Sequence, residues 1–352
     1  MGIEELEVSE SISEKINYLK FMLMILVVYI HSSELPVFEH QIIVPEWLMF
    51  IKDVIGDIAS VAVPGFFILS SYLLYRKHFS WVSNLRKKAK GILVPYLIIN
   101  TFWVLFFVLF SSIPKTAVYF TSDQYQIETW RDVLLAYFGH KPLYYPFWFL
   151  QDLMVLNVLA PLIHIAYDRF PALTLSISAC LIHSGINIPL LNDKMSILYW
   201  MVGLILVNIK FSFDLIDRFK VYDLAGASVA TVVLSHYNCL PLVIHVIVLG
   251  AFLYQLGSCL YSSYRDNRLL KICTRQTFII YSFHEFWEAM LKKVLMTVFP
   301  QTGIVQLLEY LLLPLFIVMA CIMAGKLLEK QAPSFYRVIN GNRSLTAVQK
   351  KW

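Results

Sequence analysis

The sequence predicts an all-α fold, a polytopic membrane helix bundle of about ten transmembrane helices with both termini cytoplasmic. Three observations carry that prediction. Hydrophobic residues make up 58% of the 352-residue chain against 15% charged, and the mean hydropathy is +0.64, values typical of membrane proteins. Long apolar runs occur without a charge, such as "GILVPYLIINTFWVLFFVLFSSI" at 91–113, long enough to span a bilayer as a helix. Lys and Arg also alternate in density along the chain. With a cytoplasmic N-terminus, 22 of them fall in inside segments and six in outside loops, which sets orientation by the positive-inside rule.

Ten apolar segments follow in order, at 16–33, 46–75, 91–113, 147–166, 172–189, 195–209, 222–238, 240–262, 276–296 and 303–327. The second is too long for one span and contains Lys52, Asp53, Asp57 and "VPG" at 63–65. It divides into an interfacial helix over about 46–56 and a span after it. Segments seven and eight are joined only by "HYNCLP", the weakest boundary of the ten. The polar stretch 1–15 lacks the basic start of a signal peptide and is expected to be a cytoplasmic tail, so the first span serves as the insertion signal. Residues 16–329 then form one membrane domain and 330–352 a basic cytoplasmic tail. The longest outside loop, 114–146, is polar and aromatic and is expected to shape an outward vestibule.

Several chemistries are excluded by pattern. The five cysteines are far apart with no C-x-x-C pair, so neither a disulfide scaffold nor a zinc site is indicated. The chain has no Walker loop, H-E-x-x-H, G-x-S-x-G or G-x-G-x-x-G. No metal is expected, and no basic soluble domain exists for nucleic acid.

Ionisable side chains inside spans cost about 2.5 to 3.5 kcal/mol each on insertion scales, so they face the bundle interior or a wet cavity. Within "YLKFMLMILVVYIHSS" (18–33), Lys20 and His31 stand 11 residues apart. Eleven residues is close to three whole turns, so both leave one face, roughly 16 Å apart along the axis. His31 suits a general base, and Glu34, one turn on, is placed to orient the ring. An interhelical hydrogen bond is the alternative, as snorkelling is for Lys20. The residues alone leave the two readings of His31 open, and for Lys20 they favour snorkelling. The six basic residues of "YRKHFSWVSNLRKKAK" (75–90) satisfy the positive-inside rule and suit anionic lipid. They equally suit a phosphorylated cytosolic ligand. "YYPFWFLQDLMVLNVLAPLI" (144–163) brings Trp148, an interfacial-belt residue by default, and Asp152 and Asn157 on different faces. "FIIYSFHEFWEAM" (278–290) sets His284 beside Glu285, with Glu288 one turn on.

Three of these segments in order, with "VPGFFILSSYLLYRK" between the first and third, resemble the signature segments of acyltransferase family 3, integral-membrane enzymes that modify bacterial envelope glycans. That family's first span typically carries a basic residue and, 11 positions on, the histidine taken as catalytic. Lys20 stands where Arg is usual, which keeps the charge and loses the bidentate fork. Ser70 matches the serine of the family's Phe-Phe-x-x-Ser-Gly segment, and Ser71 replaces its glycine at a position suited to a close helix contact. "FIIYSFHE" is similar to the family's penultimate "IYxxH" stretch.

The resemblance implies an O-acyltransferase in the bacterial cytoplasmic (inner) membrane, moving an acyl group, acetyl by default, from acyl-coenzyme A to a hydroxyl of an envelope or extracellular glycan or lipid-linked sugar. His31 is then the general base, or an acyl carrier. Lys20, Arg76 and Lys77 hold phosphates of acetyl-coenzyme A, with Ser70 and Tyr72 along its path. Glu34, Trp148, Asp152 and His284 orient His31 or the acceptor. Lipid and a glycan-synthesis complex are the further partners. Many relatives carry an additional extracytoplasmic domain, and this sequence is expected to complete transfer in the membrane or through a separate partner. The competing class is a proton-coupled exporter of a glycan or small molecule, which the same buried His, Asp and Glu side chains fit.

Overall fold

A computed structural model of the protein describes residues 10–33, 44–76, 80–114, 127, 129–139, 142–188, 190–264 and 268–341. Every regular element among them is helical. The first stretch contains α1 (Glu10–Ser33), α2 (Glu46–Ala59), α3 (Ala62–Tyr75) and α4 (Trp81–Lys88), and a single π turn joins α4 to α5 (Val94–Ser111). Next come α6 (Trp130–Phe138), α7 (Trp148–Arg169), α8 (Pro171–His183), α9 (Met195–Asn208) and α10 (Val221–His236). The chain continues through α11 (Leu242–Tyr264), α12 (Arg268–Arg275), α13 (Thr277–Val298), α14 (Gly303–Gln331) and α15 (Pro333–Ile339).

Each apolar segment read from the sequence falls on a helix. The second divides at Ser60 and Val61, a few residues later than the expected end of its first part. The weakest boundary, "HYNCLP", separates α10 from α11. Helices α4, α6, α12 and α15 were not anticipated; they are 7 to 9 residues long, too short for a periodicity to stand out. Among the described residues, five helical stretches, 46–75, 81–111, 145–169, 242–262 and 303–331, are long and apolar enough to cross a membrane. The chain is therefore a helical, multi-pass membrane bundle.

The helices form two compact units. The first comprises Met1–Lys77 and Val202–Leu327. Here α1 is central, packed against α2, α3, α11 and α13. Its residues Met24, Val27 and Val28 join Ala62, Ile280, Leu313, Ile317, Val318 and Cys321 in one apolar cluster. At one end of α1, Lys15 Nζ bonds Asp217 Oδ2 at 2.8 Å, and Ser258 Oγ donates to the other oxygen at 2.9 Å. Helices approach closely where glycine removes a side chain. A Cβ on Gly203 would lie 2.5 Å from Ile68 O and 2.6 Å from Ser71 Cβ, so the close contact suggested by Ser71 is present, with the glycine on the facing helix. We expect Gly203→Ala to cost about 1–3 kcal/mol by overpacking, read as a lower melting temperature in detergent. Adding Ser71→Gly should recover only part of it, because the Ile68 carbonyl stays in the way.

The second unit comprises His78–Met201 and Leu328–Trp352. A capping box between Thr129 and Asp132 starts α6. Side chains of neighbouring helices meet the carbonyls at its far end. Asn100 Nδ2 donates to Ala136 O at 3.1 Å, Gln151 Nε2 donates to Tyr137 O at 2.8 Å, and the Tyr96 hydroxyl donates to the same Tyr137 carbonyl. These are the groups a helix end leaves unbonded. Trp103 and Tyr144 stack face to face, with centroids 4.7 Å apart.

Candidate active site

His31 is in the last turn of α1. Its shared face with Lys20 carries Met24 and Val27 at one-turn intervals, and both belong to the apolar cluster with α13 and α14. That face therefore points into the unit, and it is filled between the two polar side chains. Lys20 and His31 are both partly buried.

Helix α13 supplies a ring beside His31, and α13, α14 and α2 supply contacts to or around the last turns of α1 that carry it. From α13, the His284 ring stands 5.1 Å from the His31 ring, centroid to centroid, at 57°. One turn on, buried Glu288 accepts a hydrogen bond from the hydroxyl of Ser32. A further turn on, Lys292 Nζ donates to the Ser32 carbonyl at 3.1 Å. That carbonyl is among the last four of α1, which have no partner within the helix, and a cation is favoured there. From α14, Tyr310 meets Tyr29 edge to face at 6.1 Å. The Tyr29 hydroxyl donates to Leu311 O at 2.9 Å, beside Pro314, whose ring and missing N–H loosen the helix bonding there. From α2, Lys52 Nζ sits 5.4 Å from the centre of the Tyr310 ring. Helix α13 continues from Glu288 to Val298, roughly 15 Å at 1.5 Å per residue. His31 is thus well below the end of its neighbour rather than at a rim.

Sequence reasoning brought His31 and His284 forward separately, and the structure sets them side by side. It noted the spacing of His284 and Glu288, the one legible signal, but missed the contacts of Ser32 with Glu288 and Lys292 and of Tyr29 with Tyr310. Glu34 and Lys77 lie outside the described residues.

Of the residues expected at the donor end, Arg76 is buried with its guanidinium 5.5 Å from the centre of the Tyr72 ring. The Tyr72 hydroxyl donates to Phe211 O at 2.8 Å. Ser70 is partly buried on α3. Asp152 and Trp148 belong to the second unit. Asp152 is fully buried, as is Asn157 at 1% exposure; no residue from 148 to 157 is exposed, which lets both turn inward. Asp152 accepts from the backbone N–H of Asn192 at 2.6 Å and of Asp193 at 2.9 Å, and from Asn192 Nδ2 at 3.1 Å. It holds the turn before α9. Trp148 is partly buried and meets Phe149 edge on. Among the described residues, no three His, Cys, Asp or Glu side chains are grouped to hold a metal ion.

A helical bundle with histidines and a glutamate gathered inside it is a scaffold for proton-transfer chemistry at membrane depth. Residues 13–325 match the family model of an acyltransferase domain, acyltransferase family 3, and the chain belongs to that family. Among curated proteins it is similar to the succinoglycan biosynthesis protein ExoH of Rhizobium meliloti (strain 1021), with 27% identity over 176 residues, covering 47% of this chain and 46% of that protein. The match thus spans about half of the relative's length. No solved structure matches the chain.

Proposed function

We propose that the protein transfers an acyl group, acetyl by default, from cytoplasmic acyl-coenzyme A to a hydroxyl of an envelope or extracellular glycan or lipid-linked sugar. It does so in the bacterial cytoplasmic membrane, as a ten-span bundle with both termini inside. The observation that carries the reading is the pairing of His31 with His284 deep in a family 3 acyltransferase bundle. The partial similarity to a succinoglycan biosynthesis protein supports a glycan acceptor.

In this mechanism His31 takes the hydrogen of the acceptor hydroxyl while its oxygen bonds to the thioester carbonyl carbon. The carbon–sulfur bond breaks, and the leaving thiolate recovers the hydrogen as coenzyme A thiol. Lys20 and Arg76, with Lys77, attract the donor's phosphates. Arg76 is stacked on Tyr72 and buried, so its contact with a phosphate requires the ends of α3 to open. Met24 and Val27 occupy the face between Lys20 and His31, so the pantetheine arm must displace or pass beside them. Glu34, three residues after His31 in the sequence, is proposed to orient it; Ser70 and Tyr72 border the donor path. Asp152, through the turn it holds, and Trp148 are proposed to act on the acceptor.

The test uses purified protein in nanodiscs with acetyl-coenzyme A and an extract of host envelope glycans. Extract-dependent release of free thiol is the expected result. Absence of both donor binding and thiol release would sink the reading.

A second reading, a proton-coupled exporter, draws on a separate cluster in the first unit. His236 Nδ1 meets Asp57 Oδ2 at 2.8 Å, and fully buried His245 lies 3.1 Å from the Asp57 carbonyl through Nε2. Transport in vesicles that collapses with the proton gradient would favour that reading over acyl transfer.

A further inference from the structure

His284 has a fixed hydrogen position. Its Nδ1 lies 3.0 Å from Ile280 O and 3.0 Å from Tyr281 O. Carbonyl oxygens only accept, so Nδ1 must carry the hydrogen. The neutral ring carries one hydrogen, which leaves Nε2 as a lone pair. That nitrogen is buried, in a residue with no exposed surface, and has no hydrogen-bond partner among the described residues. A buried acceptor without a donor is costly and marks a place where a donor is to arrive. The neighbouring ring is His31, at a centroid separation of 5.1 Å. As the rings stand, His284 Nε2 is not bonded to His31, and a turn of the His31 ring about its side chain brings a nitrogen within the hydrogen-bond range of about 3 Å.

We infer that His284 is the positioning residue for His31: its Nε2 accepts the N–H of His31, so that the other nitrogen of His31 presents its lone pair to the acceptor hydroxyl. This rests on the acyltransferase reading above and extends it. Two main-chain carbonyls fix His284, and His284 fixes His31. The logic is that of a catalytic histidine whose tautomer is set by the group behind it, with a neutral imidazole in place of the usual carboxylate. The balance of the reaction is unchanged. His284 keeps its own Nδ1 hydrogen throughout and gains no acyl group. When His31 holds the hydroxyl's hydrogen, the resulting cation donates to His284 Nε2, and it returns to neutral as the thiolate is protonated. Glu288, one turn from His284, is bound to the Ser32 hydroxyl and holds the end of α1 that carries His31.

The test combines spectra and kinetics on the full chain. Nitrogen-15 magnetic resonance of ring-labelled histidine, in nanodiscs, should show wild-type His284 with hydrogen on Nδ1 and an accepting Nε2. His284→Phe should redistribute the His31 tautomers and lower kcat about 100-fold, with the donor KM unchanged. His284→Gln, whose side-chain carbonyl accepts a hydrogen bond, should regain part of that loss. A side chain with only a packing role would move neither the His31 tautomer nor kcat selectively. A wild-type spectrum with the hydrogen on His284 Nε2 would overturn the inference, as would a His284→Phe protein with wild-type kcat. If the wild type shows no turnover with any glycan extract, the acyltransferase reading fails on its own, and the wild-type spectrum still decides the hydrogen position.

Discussion

His31→Ala is expected to abolish glycan-dependent thiol release while leaving donor binding and the melting temperature close to wild type. The size of the loss follows from the role. General-base catalysis contributes about 100- to 10,000-fold, and an acyl-carrying histidine would contribute at least as much. Stability should change little, because His31 is only partly buried in the last turn of α1. The Ser32 contacts with Glu288 and Lys292 that hold that turn are untouched. The measurement is thiol release with purified protein, beside donor binding by calorimetry on the same sample. A mutant that retains turnover removes His31 from the chemistry. A mutant that loses both binding and its melting transition assigns His31 to packing instead.

Asp152→Ala should behave in the opposite way, with a large loss of stability. The substitution strips two backbone amides, Asn192 and Asp193, and the Asn192 side chain of the fully buried carboxylate they donate to. Each such group costs about 1–3 kcal/mol when left unpaired, so the expected destabilisation is about 3 kcal/mol or more. Asp152→Asn keeps one carbonyl acceptor and should cost less. The neighbouring Gln151 accepts from Asn192 Nδ2 at 2.8 Å and donates to the Tyr137 carbonyl, so the damage should spread to the end of α6. Thermal melting and proteolysis in the 184–194 turn measure it. Unchanged melting with a reduced kcat in Asp152→Asn would instead place Asp152 on the acceptor.

The two residues show how unevenly the site was legible. His31 stood out because a histidine in an apolar run is costly and therefore conspicuous. Its 11-residue spacing from Lys20 needs only the helical repeat to place both on one face. Asp152 was equally conspicuous and its purpose was not. Whether a buried carboxylate works on a ligand or on the backbone depends on what lies opposite, here a turn 40 residues later. The Ser71 contact was implied by the resemblance, in which Ser71 stands where glycine is usual, yet the glycine it meets, Gly203, was not.

Composition and short-range pattern alone give the helical class, the positions of the long apolar helices, the break within 46–75 and a histidine and a cation on one face of α1. These depend on composition and on periodicities of a few residues, which are local. Only the tertiary structure decided that His284 neighbours His31, that Glu288 and Lys292 grip Ser32, that Arg76 lies on Tyr72 and that Asp152 holds a turn. Such pairings join residues up to some 260 positions apart, and no local period encodes them. They follow from which helix faces meet when many apolar helices bury their few polar side chains together.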